Sequence, residues 1–342
     1  MVEIKKMKNH AVTYHNYGKP SETLSLETLE LSDLGPKQVR IEIQASTIHP
    51  SDMGMIQGSY GNLKELPAVA GREGVGKIVE VGKDVTKKVI NKVVSIPDGV
   101  GAWQEYCQVN VDDLILLPAL VPYATLAVSC LNPLTAWRLL NDFEYLKEGD
   151  VIIQNAANSA VGLSVIQFAK RMGVTCVNLV RTNEMREKVL KFGAEEVWLD
   201  DENVPSLLKD YSEGKGCVMA LNSVGGKSAL RLAKCLRRGG VHVTFGAMIG
   251  EPVRFPTRNL IFDDIRFVGF WLDRWKRQRT PAQFREALEN VLQPLALTEI
   301  NHPIDSVFEL KDYKAAIQRN SESRFGKVLL AKDKQTLEES IS

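Results

Sequence analysis

The chain has 342 residues, long for a single hydrophobic core, and two domains are the better starting expectation. Its 43 Lys and Arg balance 42 Asp and Glu, so no global field draws it to nucleic acid or to an anionic lipid surface. A content of 44% hydrophobic and 25% charged residues is ordinary for a soluble globular protein.

The first residues, MVEIKKMKNH, lack the apolar centre of a secretory signal and the Arg/Ser richness of a transit peptide. Five scattered cysteines, Cys107, Cys130, Cys176, Cys217 and Cys235, never form a C-x-x-C pair, which favours reduced thiols. Both observations point to a cytoplasmic location.

Up to about residue 120 the periodicity is that of strands. Val39, Ile41 and Ile43 alternate with polar partners, Ile78, Val79 and Val81 lie between glycines, and Val93 to Ile96 ends at Pro97. Glycine and proline punctuate this region, as in an all-β domain with barrel character. Leu114 to Trp137 carries no charge, but Pro118, Pro122, Asn132 and Pro133 interrupt it, so a buried segment is expected rather than a membrane span.

Asp150 to Gly173 then reads as strand, tight turn and helix. Val151 to Ile153 is a short apolar run suited to a strand buried on both faces. Small or amide residues follow from Asn155 to Ala160, and Val161, Val165, Phe168, Ala169 and Met172 share one helical face. Such a turn leaves N–H groups uncovered at a helix N-terminus and suits a pyrophosphate. Of the usual G-x-G-x-x-G only Gly162 stands.

Strand and helix patterns alternate onward to about residue 295, with strands at 175–180, 197–199, 218–222, 241–245 and 266–271 and helices at 184–192, 203–211 and 226–236. This rhythm predicts a parallel, doubly wound sheet. A short helical pattern at 311–319 and a strand at 327–330 are too little for a third domain and are expected to rejoin the first. The last residues, from Ala331, read as a polar tail or frayed helix.

In this order the segments resemble the medium-chain dehydrogenase/reductase superfamily. Gly71-Arg72-Glu73-Gly74-Val75-Gly76 with Val79-Glu80-Val81-Gly82 is similar to its G-H-E-x-x-G…V-x-x-V-G signature, with Arg72 in place of the histidine. In zinc-dependent members that histidine is a ligand, with a cysteine in the segment matching Ile48–Gly54, which here has none. Three or four close ligands for tetrahedral zinc are therefore missing, and no metal is expected. His49, Asp52 and Glu73 are expected as hydrogen-bonding residues of a cleft wall. Without a Lewis acid, ordinary alcohol dehydrogenation is disfavoured.

A closer resemblance, over nearly the whole chain, is to the zinc-free 2-enoyl thioester reductases of the mitochondrial type. It rests on His49-Pro50-Ser51-Asp52, Ile56-Gln57-Gly58-Ser59-Tyr60-Gly61, Asn132-Pro133-Leu134-Thr135-Ala136 and Ile153 to Gly162. Leu221 to Ser228 and Gly269-Phe270-Trp271-Leu272 complete it.

The resemblance implies a GroES-like β-barrel catalytic domain over 1–125 and 295–342, with a doubly wound parallel Rossmann sheet over 126–294. It implies NADPH-dependent reduction of the double bond of trans-2-enoyl thioesters of coenzyme A or acyl carrier protein, with Tyr60 as proton donor. A phenol, ordinarily near pKa 10, suits that task. Unaided by the resemblance, such a Tyr reads as a loop or packing residue.

Asn132 is implied at the nicotinamide end, though it can equally cap a helix ahead of Pro133. Asn158, Ser159, Ala160 and Val161 are implied as the pyrophosphate turn, and Phe245, Gly246, Ala247, Met248, Phe270, Trp271 and Leu272 on the nicotinamide side. Lys327 aligns with a lysine near the cofactor; a surface lysine starting a strand is the plainer alternative.

Cofactor choice is read after the second Rossmann strand, where Arg181 can pair with a 2′-phosphate. Asn183 stands where the reductases carry a second arginine, leaving Arg186 or Lys188 to compensate. The plainer alternative makes Arg181 a solvated strand-end charge. Trp103, Phe270 and Trp271 are candidates to line an acyl channel, and Arg274, Lys276, Arg277 and Arg279 to meet a carrier protein; core aromatics and a solvated charged segment are the alternatives. A homodimer through edge-strand pairing near Arg266–Trp271 is implied as well. Two other functions remain open: a zinc-free quinone or enone reductase, and a non-catalytic NADPH-binding protein.

Overall fold

A computed structural model describes residues 7–341. The chain divides into two compact units, Met1–Cys130 with Leu292–Ser342, and Leu131–Val291. The fold is α/β, with a parallel sheet in one unit and antiparallel-rich sheets in the other.

In the first unit a seven-stranded sheet is organised around Gln38–Thr47. That strand pairs antiparallel with Gly74–Val81, Tyr106–Asn110 and Lys327–Ala331. Lys327–Ala331 is buried at every position, its apolar run Val328 to Ala331 suiting a covered strand. It brings the far end of the chain beside Ala45–Thr47, and Ile304–Glu309 pairs parallel to it. A separate three-stranded sheet holds Lys8–Tyr14 between Leu24–Glu30 and Ala68–Val69. Val12, Tyr14, Val39, Ile41, Ile78 and Trp103 form the middle of one core.

Strand periodicity before residue 120 overlooks the helix Pro50–Gln57. Its signals are local: Pro50 at the start, Asp52 in the first turn, and Gly58 in the left-handed region at φ +76° at the end. Of the two expectations for the closing segment, polar tail or frayed helix, the structure has the helix. Lys334–Glu339 is helical, capped by Asp333, and buries Leu337.

In the second unit six parallel strands lie side by side. They are Val151–Gln154, Thr175–Val180, Glu196–Leu199, Cys217–Asn222, Leu236–Thr244 and Arg266–Gly269. Numbered along the chain, their spatial order is 3-2-1-4-5-6, the doubly wound arrangement whose switch point lies beside the first strand. Cys217–Asn222, fully buried, sits at the sheet's centre. Arg266–Gly269 is an edge strand, shorter than its apolar run suggests, because Leu272 already begins a helix. No helix among the described residues is long and apolar enough to cross a membrane.

Candidate functional site

The first unit gathers a buried polar cluster. His49, Asp52, Glu73 and Lys327 are each 4% exposed or less. His49 enters at the start of the Pro50 helix, Glu73 just before the strand Gly74–Val81, and Lys327 as the first residue of its strand. His49 Nε2 lies 2.7 Å from a Glu73 carboxylate oxygen, and His49 Nδ1 lies 3.1 Å from Lys327 Nζ.

Lys327 also donates to the Ile48 carbonyl at 2.7 Å, and the other Glu73 oxygen accepts from the Cys130 amide at 2.7 Å. Since a carboxylate only accepts, a neutral His49 presents Nε2–H to Glu73 and accepts from Lys327 at Nδ1. Burial, helped by the Lys327 charge, lowers the His49 pKa against the pull of Glu73, which agrees with a neutral ring. Burial and then Arg324 bring the Lys327 pKa down to about 7.

Asp52 accepts from the His49 amide at 2.6 Å through one oxygen; its other oxygen is buried without a hydrogen-bond partner, and burial raises its pKa. Hydrogen bonding is thus what His49, Asp52 and Glu73 do. Lys327 is not the surface residue of the plainer alternative.

Tyr60 is held by the turn that ends the Pro50 helix. After Gly58 the amides of Ser59 and Tyr60 both return to the Gly54 carbonyl, at 2.9 and 3.1 Å. The half-buried phenol then meets Arg72, whose Nη1 donates to the Tyr60 hydroxyl oxygen at 3.1 Å. The guanidinium carbon stands 5.0 Å from the ring centroid. Gly71 sets the approach of Arg72: it has φ +86°, and a Cβ there would sit 2.3 Å from Trp103 Cδ1. Trp103 is fully buried and donates to the Thr47 carbonyl, so it belongs to the core and lines no acyl channel.

The second unit supplies the small-residue turn. Asn155 to Ser159 joins the first Rossmann strand to the helix Ala160–Arg171, with Ala156 at φ +48°. Ser159 caps that helix by accepting from the Gly162 amide. Ala160 and Val161 are first-turn residues whose N–H groups no carbonyl of their own helix can reach. A Cβ at Gly162 would lie 2.6 Å from the Ala157 carbonyl oxygen, which explains why this one glycine remains.

Asn155, which sequence reasoning missed as a site residue, fastens the turn to neighbouring elements. Its amide donates to Asn222 and Ser228 at 2.8 and 2.9 Å, and its oxygen accepts from the Ser223 amide at 2.8 Å. Asn222 in turn accepts from the Val224 and Gly225 amides. A run of polar residues buried at strand ends, Gln154-Asn155 and Asn222-Ser223, was the available signal.

Asn132 does not cap its helix. It is the first residue of Asn132–Asn141, with Leu131 at the cap position, and its side-chain nitrogen is buried without a hydrogen-bond partner. Arg181 is exposed just past the strand Thr175–Val180, and Asn183 opens the next helix behind the Thr182 cap. Neither suggested substitute for a second arginine stands idle: Arg186 Nε donates to the Val197 carbonyl, and Lys188 pairs with Glu184 at 2.7 Å.

Phe245 and Met248 donate backbone N–H groups to Asn222 and Ser223, which brings the segment from Phe245 through Gly246 and Ala247 to Met248 beside those residues. The Phe270 amide bonds Thr244, its ring meets Phe143 edge-on, and Trp271 precedes the buried Leu272. Of the basic segment, Lys276, Arg277 and Arg279 lie over the Phe284, Trp271 and Trp275 rings.

Among the described residues no group of three or more His, Cys, Asp and Glu could hold a metal ion. A cavity of about 340 Å³ in the first unit, bounded by His10, Ile43, Gln104 and Lys332, contains none of the expected site residues.

Known proteins extend this geometry. Residues 35–119 match the family model of the alcohol dehydrogenase GroES-like domain, and residues 160–293 that of zinc-binding dehydrogenase. The human mitochondrial enoyl-[acyl-carrier-protein] reductase is 38% identical over 90% of this chain and 84% of its own. The chain belongs to the zinc-free medium-chain dehydrogenase/reductases, on the enoyl thioester reductase branch.

As a member of that branch it is an oxidoreductase. Among solved structures, a Bacillus thuringiensis protein described as an NADPH:quinone reductase superposes with a TM-score of 0.88. It is 27% identical over 96% of this chain and 100% of its own. A complex of Etr1p with NADP and crotonyl-CoA has a TM-score of 0.85 at 24% identity, covering 95% of this chain and 100% of that one, and shows the shared fold.

The expected cytoplasmic location is corrected by these relatives, since the human reductase is named as a mitochondrial protein. Unpaired thiols report a reducing environment and not a particular compartment, so the cysteine pattern could not separate the two.

Proposed function

We propose that this reductase uses NADPH to saturate the 2,3 double bond of trans-2-enoyl thioesters, carried on coenzyme A or acyl carrier protein, with Tyr60 as proton donor. The reading is supported by the reductase relatives and by the residues available to bind and to protonate. The observation that carries it is Tyr60: a half-buried phenol, fixed by the turn at Gly58 and hydrogen-bonded through its oxygen.

The cofactor turn fits a dinucleotide. The Gly162–Ala157 approach keeps side-chain bulk out, and the amides of Asn158 to Val161 lie at a helix start, where a pyrophosphate is favoured. The unpartnered Asn132 amide offers a donor for a carboxamide oxygen. Arg181 offers a fork for the 2′-phosphate, and Asn183, Phe245, Gly246, Ala247, Met248, Phe270, Trp271, Leu272 and Lys327 complete the proposed cofactor set.

Bound NADPH supplies a hydride to the β-carbon. The π electrons of the double bond then move toward the thioester carbonyl, giving an enolate that needs one proton at the α-carbon. Tyr60 holds that proton on its oxygen, delivers it, and regains one from water. Donors that meet the charge as it develops lower the barrier without having to reorganise.

Turnover with trans-2-hexenoyl-CoA, a quinone and crotonaldehyde, followed by NADPH oxidation, tests this reading. The thioester should be the best substrate, and Tyr60→Phe should cut its turnover by orders of magnitude while cofactor affinity holds. Unchanged turnover in the variant excludes the donor role. A preference for the quinone would instead favour the second reading, a zinc-independent quinone or enone reductase, which the Bacillus thuringiensis neighbour supports. Absence of oxidation with all three would leave a cofactor-binding protein.

A further inference from the structure

The signature G-R-E-G places an arginine, where the superfamily signature has a histidine, immediately before buried Glu73. The arginine side chain reaches Tyr60, 12 residues earlier in the chain, by two contacts at once. One is the 3.1 Å hydrogen bond from Nη1 to the phenol oxygen, and the other places the guanidinium 5.0 Å from the ring centroid.

A guanidinium carries donors and no acceptor, so in this bond the phenol oxygen must accept. The phenolic hydrogen is therefore not used on Arg72. It is turned to another direction of the same oxygen.

We propose that Arg72 is a positioning residue for proton delivery: it orients the Tyr60 hydroxyl and stabilises the phenolate left when the proton departs. This inference rests on Tyr60 being the donor. The arginine has a role in each half of the step. Before transfer it occupies one lone pair and fixes the rotation of the O–H. After transfer its charge faces a full negative charge on the oxygen, and a hydrogen bond between charged groups is about twice as strong as a neutral one. The interaction thus grows along the reaction, the condition for raising turnover rather than substrate affinity.

A double-mutant cycle tests it, with NADPH oxidation by trans-2-hexenoyl-CoA as the readout. Arg72→Met is expected to lower kcat by about tenfold to a hundredfold with the KM for NADPH unchanged, the range of one charged hydrogen bond. Arg72→Lys, which keeps a cation and a donor, should recover part of the loss and serves as the second variant if the Met form does not fold.

In a Tyr60→Phe background Arg72→Met should change kcat by less than about twofold, because the group it acts through is gone. If Arg72→Met costs the same factor with and without the Tyr60 hydroxyl, Arg72 does not act through Tyr60 and the proposal fails while the donor reading stands. If Tyr60→Phe alone matches the parent enzyme, the donor reading fails and takes the proposal with it.

Discussion

In the first unit the candidate chemistry sits in side chains, Tyr60 under Arg72 and the buried row Glu73, His49 and Lys327. In the second it sits in backbone, in the first-turn amides after Ser159 and the space beside Gly162, held in place by Asn155. Side-chain chemistry tolerates no change of functional group, since one atom carries the role. Backbone binding tolerates most changes of side chain but not of shape, which is why Ala and Ser can fill a loop usually rich in glycine. One site should therefore fail by loss of charge or hydrogen bonds, and the other by gain of volume.

The largest test of that contrast is Glu73→Ala. It removes the acceptor of both His49 Nε2–H and the Cys130 amide, and the carboxylate that faces Lys327 across the ring. Taking one partner from a buried charged network costs about 3–5 kcal/mol. For a unit the size of the first, that is a fall in the Tm of its unfolding on the order of 10 °C by calorimetry. A Tm within about 2 °C of the parent would show that the cluster adds nothing to the first unit, by the same conversion.

Gly162→Ala is the matched test in the second unit. The added methyl would lie 2.6 Å from the Ala157 carbonyl oxygen, and that oxygen belongs to backbone that cannot swing aside. Overpacking of this kind costs about 1–3 kcal/mol, and relief by opening the turn would move the amides proposed to meet the pyrophosphate. NADPH titration by fluorescence should show affinity weakened by about tenfold or more, roughly 1.4 kcal/mol. Affinity kept at the parent value would mean that the turn does not bind through its backbone.

The two units were unequally legible in the sequence for the same reason. The Rossmann half announces itself through local pattern: short apolar runs from Val151, Thr175 and Cys217, each followed by a helical period, fold into neighbouring parallel strands. The turn could be recognised because its parts are consecutive. The cluster in the first unit could not, because Lys327 and His49 are 278 residues apart and meet only through pairing of the last long strand with Gln38–Thr47.

Nothing local marks Lys327 as buried, and strand pairing alone decides it. Trp103 was misplaced in the opposite sense, as a candidate channel residue that Gly71 draws into the core. The sixteen-residue helix Pro281–Ala296 has no counterpart among the helices expected from the pattern, although a proline stands at its start.

The finest distinction concerns Arg181. Its guanidinium is exposed beyond the second Rossmann strand, while the two nearby cations that could have shared its work are committed elsewhere, Arg186 to the Val197 carbonyl and Lys188 to Glu184. Any recognition of a 2′-phosphate on this side then falls on one arginine, and an exposed charge pair in water is worth little more than about 1 kcal/mol.

Arg181→Ala is accordingly expected to lower kcat/KM for NADPH by about tenfold and to leave NADH nearly unchanged, a shift of roughly 1.4 kcal/mol. Arg186→Ala should do neither, because its bond is to a strand carbonyl. A preference between the cofactors that survives Arg181→Ala would assign discrimination to the backbone of the second unit instead, and would extend the rule of shape over charge to the one place where a side chain was expected to decide.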